Sequence, residues 1–385
     1  MNPLRRLLLR RLLLRSLALG PLAGTTLATA PPARADLPDY PPVLPRALDL
    51  ARDRGAHPDY RSEWWYLTAQ VDVPDGTGSV RIGLQLTFFR LRPALDTDNP
   101  SAFAAHQLIV AHAAIADPRR AALLHESRLA RAGFGIAQAG EGDTRVDIDH
   151  WSLDRDPVTG IYAGRAKGAS FTLEIQARPT QPVLLQGQGG YSRKGPPDAA
   201  GTSGQPAASY YYSEPQLALT AQLELDGRRI QGTGRGWLDH EWSSTLLPRG
   251  AQGWDWGGFN LEDGSALTFF RIRAAPGAPP VYAYAALRPA RGSTRLYAPG
   301  ELQFTDLRTW TSPATRARYP VALDLLVGGR RLQTRPLMDD QEFDARTSSG
   351  LVYWEGASAL LENGKVVGHG YLELTGYAGP MVGNR

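Results

Sequence analysis

Two nearly identical heptapeptides, LTFFRLR (86–92) and LTFFRIR (267–273), recur within one chain of 385 residues. A segment that appears twice points to a fold that uses it twice, and so to an internal duplication. The surrounding pattern gives its type. In SVRIGLQLTFF, Val80, Ile82, Leu84, Leu86 and Phe88 alternate with Arg81, Gly83, Gln85 and Thr87, the period of two that a strand with one buried face requires. QLALTAQLEL does the same, with Leu217, Leu219, Ala221, Leu223 and Leu225 on one face. Hairpin dipeptides follow at Asp226-Gly227 and Asn363-Gly364. A second repeat matches DGRRIQGTGRGWLDHEW (226–242) to NGKVVGHGYLELTGY (363–377), and Tyr211-Tyr212-Ser213-Glu214 to Tyr353-Trp354-Glu355. These features predict an all-β chain of mostly antiparallel strands, in barrels or sandwiches, with two tandem units at 55–247 and 250–385. Pro118–Ala132 reads as a short helix, and the Gly-, Pro- and Ser-rich stretch 187–209 as a mobile surface loop.

The amino terminus has a separate logic. MNPLRRLLLRRLLLRS carries five arginines and no acid, Leu17–Ala30 is uncharged and mostly apolar, and Ala33-Arg34-Ala35 offers a small-x-small cleavage site. That order predicts a signal peptide over 1–35, then a Pro-rich lead-in at 36–54. Removing the leader's six arginines takes the balance from 42 − 38 = +4 to 36 − 38 = −2, so the basic charge belongs to the leader and a nucleic-acid partner is not expected. No later segment is long and apolar enough for a membrane span. With no cysteine there is no disulfide, no thiolate nucleophile and no lipidated cysteine. The expectation is a soluble periplasmic or secreted protein, compatible with peripheral contact with envelope membranes.

Tryptophan marks the candidate site. Six of the nine fall in three short stretches: HPDYRSEWWYL (Trp64, Trp65), GWLDHEW (Trp237, Trp242) and GWDW (Trp254, Trp256). Each stretch also carries ionisable groups: Glu63; Asp239, His240 and Glu241; Asp255. On a strand, Asp239 and Glu241 share one face and His240 and Trp242 the other, while Glu63 goes with Trp65 and Trp64 with Tyr66. Such residues also serve as ordinary barrel core. The second copy has Glu373-Leu374-Thr375 where the first has Asp239-His240-Glu241, and this difference favours the first unit as the functional one. The seven histidines are scattered and no His-x-x-x-His occurs, so neither a metal site nor a cofactor is expected. There is no Gly-x-Ser-x-Gly, and the glycine-rich GTGRG (232–236) is followed by a strand rather than a helix.

EWWYLTA, SYYYSEPQLALTAQLELDG, GWLDHEW, GWDWGGFNLEDG and the closing PLMDDQEF…YWEGA…GHGYLELTGY together resemble the AttH-like family, which includes carotenoid 1,2-hydratases (hydroxyneurosporene synthases). The resemblance implies two lipocalin-like β-barrels packed together and an apolar small-molecule ligand. Characterised relatives add water to alkenes of apolar polyenes, and fungal ones cyclise lipophilic chains. The hydratases' His-x-Trp pattern matches His240-Glu241-Trp242, and their acid beside an aromatic matches Asp255 with Trp254 or Trp256. On that basis Asp239 or Asp255 is the expected proton donor and His240 the water base. Trp65, Trp242 and Trp254 are the expected cation-stabilising walls, with Glu63, Tyr66, Glu241 and Trp256 completing a hollow in the leading unit. Three functions stay open: a carrier of an apolar ligand, a cofactor-free hydratase, and a secreted hydrolase of glycans or esters using Asp239, Glu241 or Glu63.

Overall fold

The computed structural model describes residues 39–93, 99–101, 103–197, 199–201, 206–245 and 247–379. The signal peptide expected at 1–35 lies outside them. The fold is all-β, and the described residues include no helix long and apolar enough to cross a membrane. A 13-stranded antiparallel sheet curls into a nearly closed barrel, and a 10-stranded antiparallel sheet forms a half-barrel packed against it. In the first, strand Ser62–Asp75 pairs with its hairpin partner Gly78–Leu91 and with the unit's last strand, Arg228–Ser243. In the second, Gly253–Leu261 pairs with Ala266–Arg273 and with Lys365–Thr375. One pairing plan is thus used twice.

That plan explains the repeated heptapeptide. Phe88 and Phe269 are fully buried in separate cores, one inside each sheet. Two residues further on, Arg90 lies opposite Glu63 and Arg271 opposite Asp255. Both pairs form ion pairs, Arg90 Nε to Glu63 Oε2 at 2.7 Å and Arg271 to Asp255. The heptapeptide supplies a core phenylalanine and a guanidinium that neutralises a buried acid, once per sheet.

The two sheets meet through close backbone approach and amide clamps. Gln70 Nε2 donates to the carbonyls of Ser358 (2.9 Å) and Gly370 (2.7 Å), and Asn260 Nδ2 donates to that of Gly236 (3.0 Å). Gly83 is where a side chain does not fit: a Cβ there would lie 2.5 Å from both Ala357 Cβ and the Tyr371 hydroxyl. Gly83→Val is therefore expected to wedge the sheets apart and to cost about 1–3 kcal/mol, read as a lower urea midpoint.

Two local expectations are corrected. Pro118–Ala132 contains no helix; Leu124–Arg131 is an edge strand paired with Leu108–Ala116. Its mixed polar sequence carries little intrinsic preference, and the open sheet edge decides. The stretch 187–209 is not a surface loop throughout. Tyr191–Arg193 pairs with the start of Ala208–Leu225, and Tyr191, Ser192, Ala207 and Ala208 are buried. Gly187, Gly189 and Gly190 have positive φ, so part of the glycine content makes a tight turn rather than a flexible one. Residues 198 and 202–205 lie outside the described set.

Candidate functional site

Alternation divides the candidate residues between two faces. Asp239 and Glu241, with Trp64 and Tyr66 from the neighbouring strand, face away from the first barrel's interior and toward the second sheet. There they line a cavity of about 250 Å³. Its walls are Trp64, Phe89, Leu91 and Val110 from the first sheet and Trp254, Trp256, Phe270, Ile272 and Leu351 from the second. The hollow expected within the leading unit is thus an inter-sheet cavity. The physical reason is that the first barrel's interior is already filled by its own aliphatic and aromatic core.

Four carboxyl groups line this apolar space: Asp239, Glu241, Glu355 and Glu373. Lys194 is the one lysine or arginine in the lining, and it pairs with Glu241, which also accepts from Ser209 Oγ at 2.5 Å. Asp239 is surrounded by donors: Ser213 Oγ (2.5 Å), Trp237 Nε1 (2.7 Å) and the Tyr211 hydroxyl (2.7 Å). Burial outweighs these hydrogen bonds and, with the Glu241 charge, pushes its carboxyl up to about 7. Glu355 and Glu373 lie directly opposite on adjacent strands. Burial raises both, Glu373 to about 8, and the charge of each neighbouring acid adds to the effect. Glu373 is partly accessible where it lines the cavity, whereas Glu355 is 1 % exposed and receives the Tyr66 hydroxyl. Two carboxyls so placed cannot both ionise near neutrality, so a proton stays on the pair.

Below them a polar floor links the sheets. Gln85 Nε2 donates to the Tyr353 hydroxyl (3.1 Å), which also meets His112 Nδ1 (2.8 Å). Gln85 Oε1 is buried without a protein partner while Gln85 lines the cavity, leaving an acceptor that a ligand or water can satisfy.

The remaining candidates are elsewhere. Glu63, Trp65, His240 and Trp242 occupy the opposite face of the same two strands, where Glu63 Oε1 meets His240 Nε2 at 2.8 Å. Burial opposes ionisation of Glu63, but hydrogen bonds from His240 and His57 and the Arg90 charge hold it well below the usual carboxylate range. Burial lowers His240 to about 4, against the pull of Glu63. Asp255 points into the second sheet's interior, held by Arg271, by Arg273 Nε (3.1 Å) and by the Tyr377 hydroxyl (2.9 Å). The structure therefore gathers Tyr66, Asp239, Glu241, Trp254 and Trp256 at the cavity and places Glu63, Trp65, His240, Trp242 and Asp255 behind its walls.

A family model described as AttH-like matches residues 41–377. This chain belongs to the AttH-like family. A crystal structure of a candidate AttH from Nitrosomonas europaea is 46% identical, with a TM-score of 0.79 over 88% of this chain and 100% of that one. Kievitone hydratase from Nectria haematococca has the same fold at 15% identity, with a TM-score of 0.60 over 89% of this chain and 99% of that one. No curated protein matches.

In this AttH-like chain the cavity also takes in Trp64, which the tryptophan clusters include without assigning it a role, and Gln85, Lys194, Tyr211, Tyr353, Glu355 and Glu373, which no sequence motif marks as site residues. A signal was present. The repeat itself sets Glu373 against Asp239, and Glu355 lies two residues beyond Tyr353 as Ser213 lies beyond Tyr211. Corresponding faces of two copies packed together meet, so matching acids converge instead of marking one unit as functional.

Proposed function

We propose that this protein holds an apolar, alkene-bearing molecule in the inter-sheet cavity and adds water across its double bond without a cofactor. The observation that carries the reading is the opposed Glu355–Glu373 pair, kept protonated by burial and mutual repulsion at the wall of an aromatic cavity. A neutral carboxylic acid is what protonation of an unactivated carbon requires near neutral pH. The π electrons take the Glu373 proton to form a C–H bond, leaving a cation on the more substituted carbon. The faces of Trp64, Trp254 and Trp256 stabilise that cation by about 1–2 kcal/mol each in a desolvated site. Water then forms the C–O bond and gives its proton to Asp239, whose carboxyl near 7 suits a base. Proton exchange with solvent resets both acids. The name of the hydratase sharing the fold agrees with this chemistry, and the Arg-rich leader agrees with work in the periplasm or outside the cell.

The test is incubation with isoprenoid alkenes in heavy-oxygen water, with mass spectrometry for one incorporated oxygen. Product with the label at the more substituted carbon is expected. Turnover should follow a bell-shaped pH profile, rising through about 7 as Asp239 ionises and falling through about 8 as Glu373 does. Retention of an intact alkene with no labelled product would indicate carriage instead of catalysis.

A further inference from the structure

Behind the cavity wall lies a second constellation. His57 Nδ1 is 2.7 Å from Glu63 Oε1, His240 Nε2 is 2.8 Å from the same oxygen, and the three atoms all lie within 4.8 Å of one another. We propose that His57, Glu63 and His240 form a binding site for a divalent first-row transition ion of the zinc class, through His57 Nδ1, Glu63 Oε1 and His240 Nε2. The sequence has no local motif for it; His57 and Glu63 are joined through the turn before the first strand, and His240 reaches them only by pairing of the unit's first and last strands.

The argument rests on the atoms that would not touch the ion. His57 Nε2 lies 3.4 Å from Asp53 Oδ1, and His240 Nδ1 lies 3.1 Å from the Tyr212 hydroxyl. Glu63 Oε2 accepts from Arg90 Nε (2.7 Å) and from the His57 backbone N–H (2.8 Å). Each ligand is thus held through its far atom by a polar partner, as metal-binding histidines and carboxylates usually are. Asp53 is itself fully buried and fixed by Arg46 Nη1 at 2.6 Å and by the Asp49 N–H at 2.8 Å. Stacking sets the rings: His57 lies on Trp242 at 3.8 Å and 5°, and His240 on Trp65 at 4.7 Å and 19°.

Two imidazoles and one carboxylate suit zinc and its neighbours, whereas calcium and magnesium favour all-oxygen shells. Zinc bonds of about 2.0–2.1 Å set tetrahedral ligands roughly 3.3 Å apart. The two short contacts must therefore open by about half an ångström as the ion takes the place of the protons between them. His57 is the gate to this change, since its side chain retains 13% exposure while Glu63 and His240 have none. A bound ion would tie the turn at His57, ahead of the first strand, to the strand that carries Asp239 and Glu241, bracing the cavity from behind.

Chelator-treated, untagged full chain titrated with Co²⁺ should show saturable visible absorption at one equivalent, bleached by Zn²⁺. Zn²⁺ should also raise the melting temperature, and Mg²⁺ and Ca²⁺ should not. Asp53→Asn, which leaves all three ligands in place, should weaken affinity roughly ten- to hundredfold with its metal-free melting curve recorded as a folding check, and His57→Ala should weaken it further. His57 lies at the rim, so this variant is expected to fold, and its metal-free melting curve checks that. Absence of saturable Co²⁺ absorption, or equal affinity in His57→Ala, would overturn the proposal and leave a hydrogen-bonded cluster only.

Discussion

Glu373→Gln is expected to lower turnover of an isoprenoid alkene by roughly 10²–10⁴-fold, the range that positioned general acids supply, while making the protein more stable in alkaline buffer. The two effects share one cause. Glu373 sits opposite Glu355 in an apolar cavity, and burial pushes its carboxyl from 4.5 up to about 8. The folded state therefore keeps a proton that the unfolded chain releases between those values. Its stabilising contribution is present below about 4.5 and is lost as pH rises through about 8. Glutamine keeps the shape and the hydrogen-bonding capacity but cannot ionise. Its stability advantage over the parent should be negligible near pH 4 and on the order of 5 kcal/mol above pH 8. Urea unfolding across this range measures it. Parallel pH dependence in the two proteins would show that Glu373 ionises freely and could not serve as an acid at neutral pH.

Arg90→Ala should be among the most destabilising single changes, at about 3–5 kcal/mol. Arg90 is 1% exposed and holds three elements together, donating to Glu63 Oε2 (2.7 Å), Gln107 Oε1 (2.8 Å) and the Tyr60 carbonyl (2.9 Å). Truncation leaves a buried carboxylate with only imidazole and backbone partners and leaves a carbonyl unpaired. Arg271→Ala in the second sheet should cost less, because Asp255 keeps Arg273 and Tyr377. The Arg90 penalty should also shrink in acid. Glu63 is depressed by its partners, so its contribution is present above the unfolded value of 4.5 and fades as pH falls below it. Equal losses in both variants, or a penalty that grows in acid, would contradict this account of the repeated ion pair.

Much of the architecture was legible before any coordinates. Alternation in 80–88 and 216–225, the hairpin dipeptides and the doubled LTFFR heptapeptide all report one-dimensional facts about strands, because side-chain direction along a strand depends only on position parity. The same parity correctly separated Asp239 and Glu241 from His240 and Trp242. Local composition was less secure at 124–131 and 190–193, where the edge of a sheet, not the segment, supplied the hydrogen-bond partners.

The sequence by itself determined strand type, duplication and which residues share a face. Which of the two faces meets a void was decided by tertiary packing alone. The first barrel's interior is filled by its own side chains, so the cavity lies where the barrel and the half-barrel meet. The opposition of Glu373 to Glu355, and of both to Asp239, depends on strand register and on the docking of distant segments. Neither the raised carboxyls nor the His57–Glu63–His240 cluster has a counterpart in the linear order of residues, because burial and charge proximity are properties of three-dimensional neighbours.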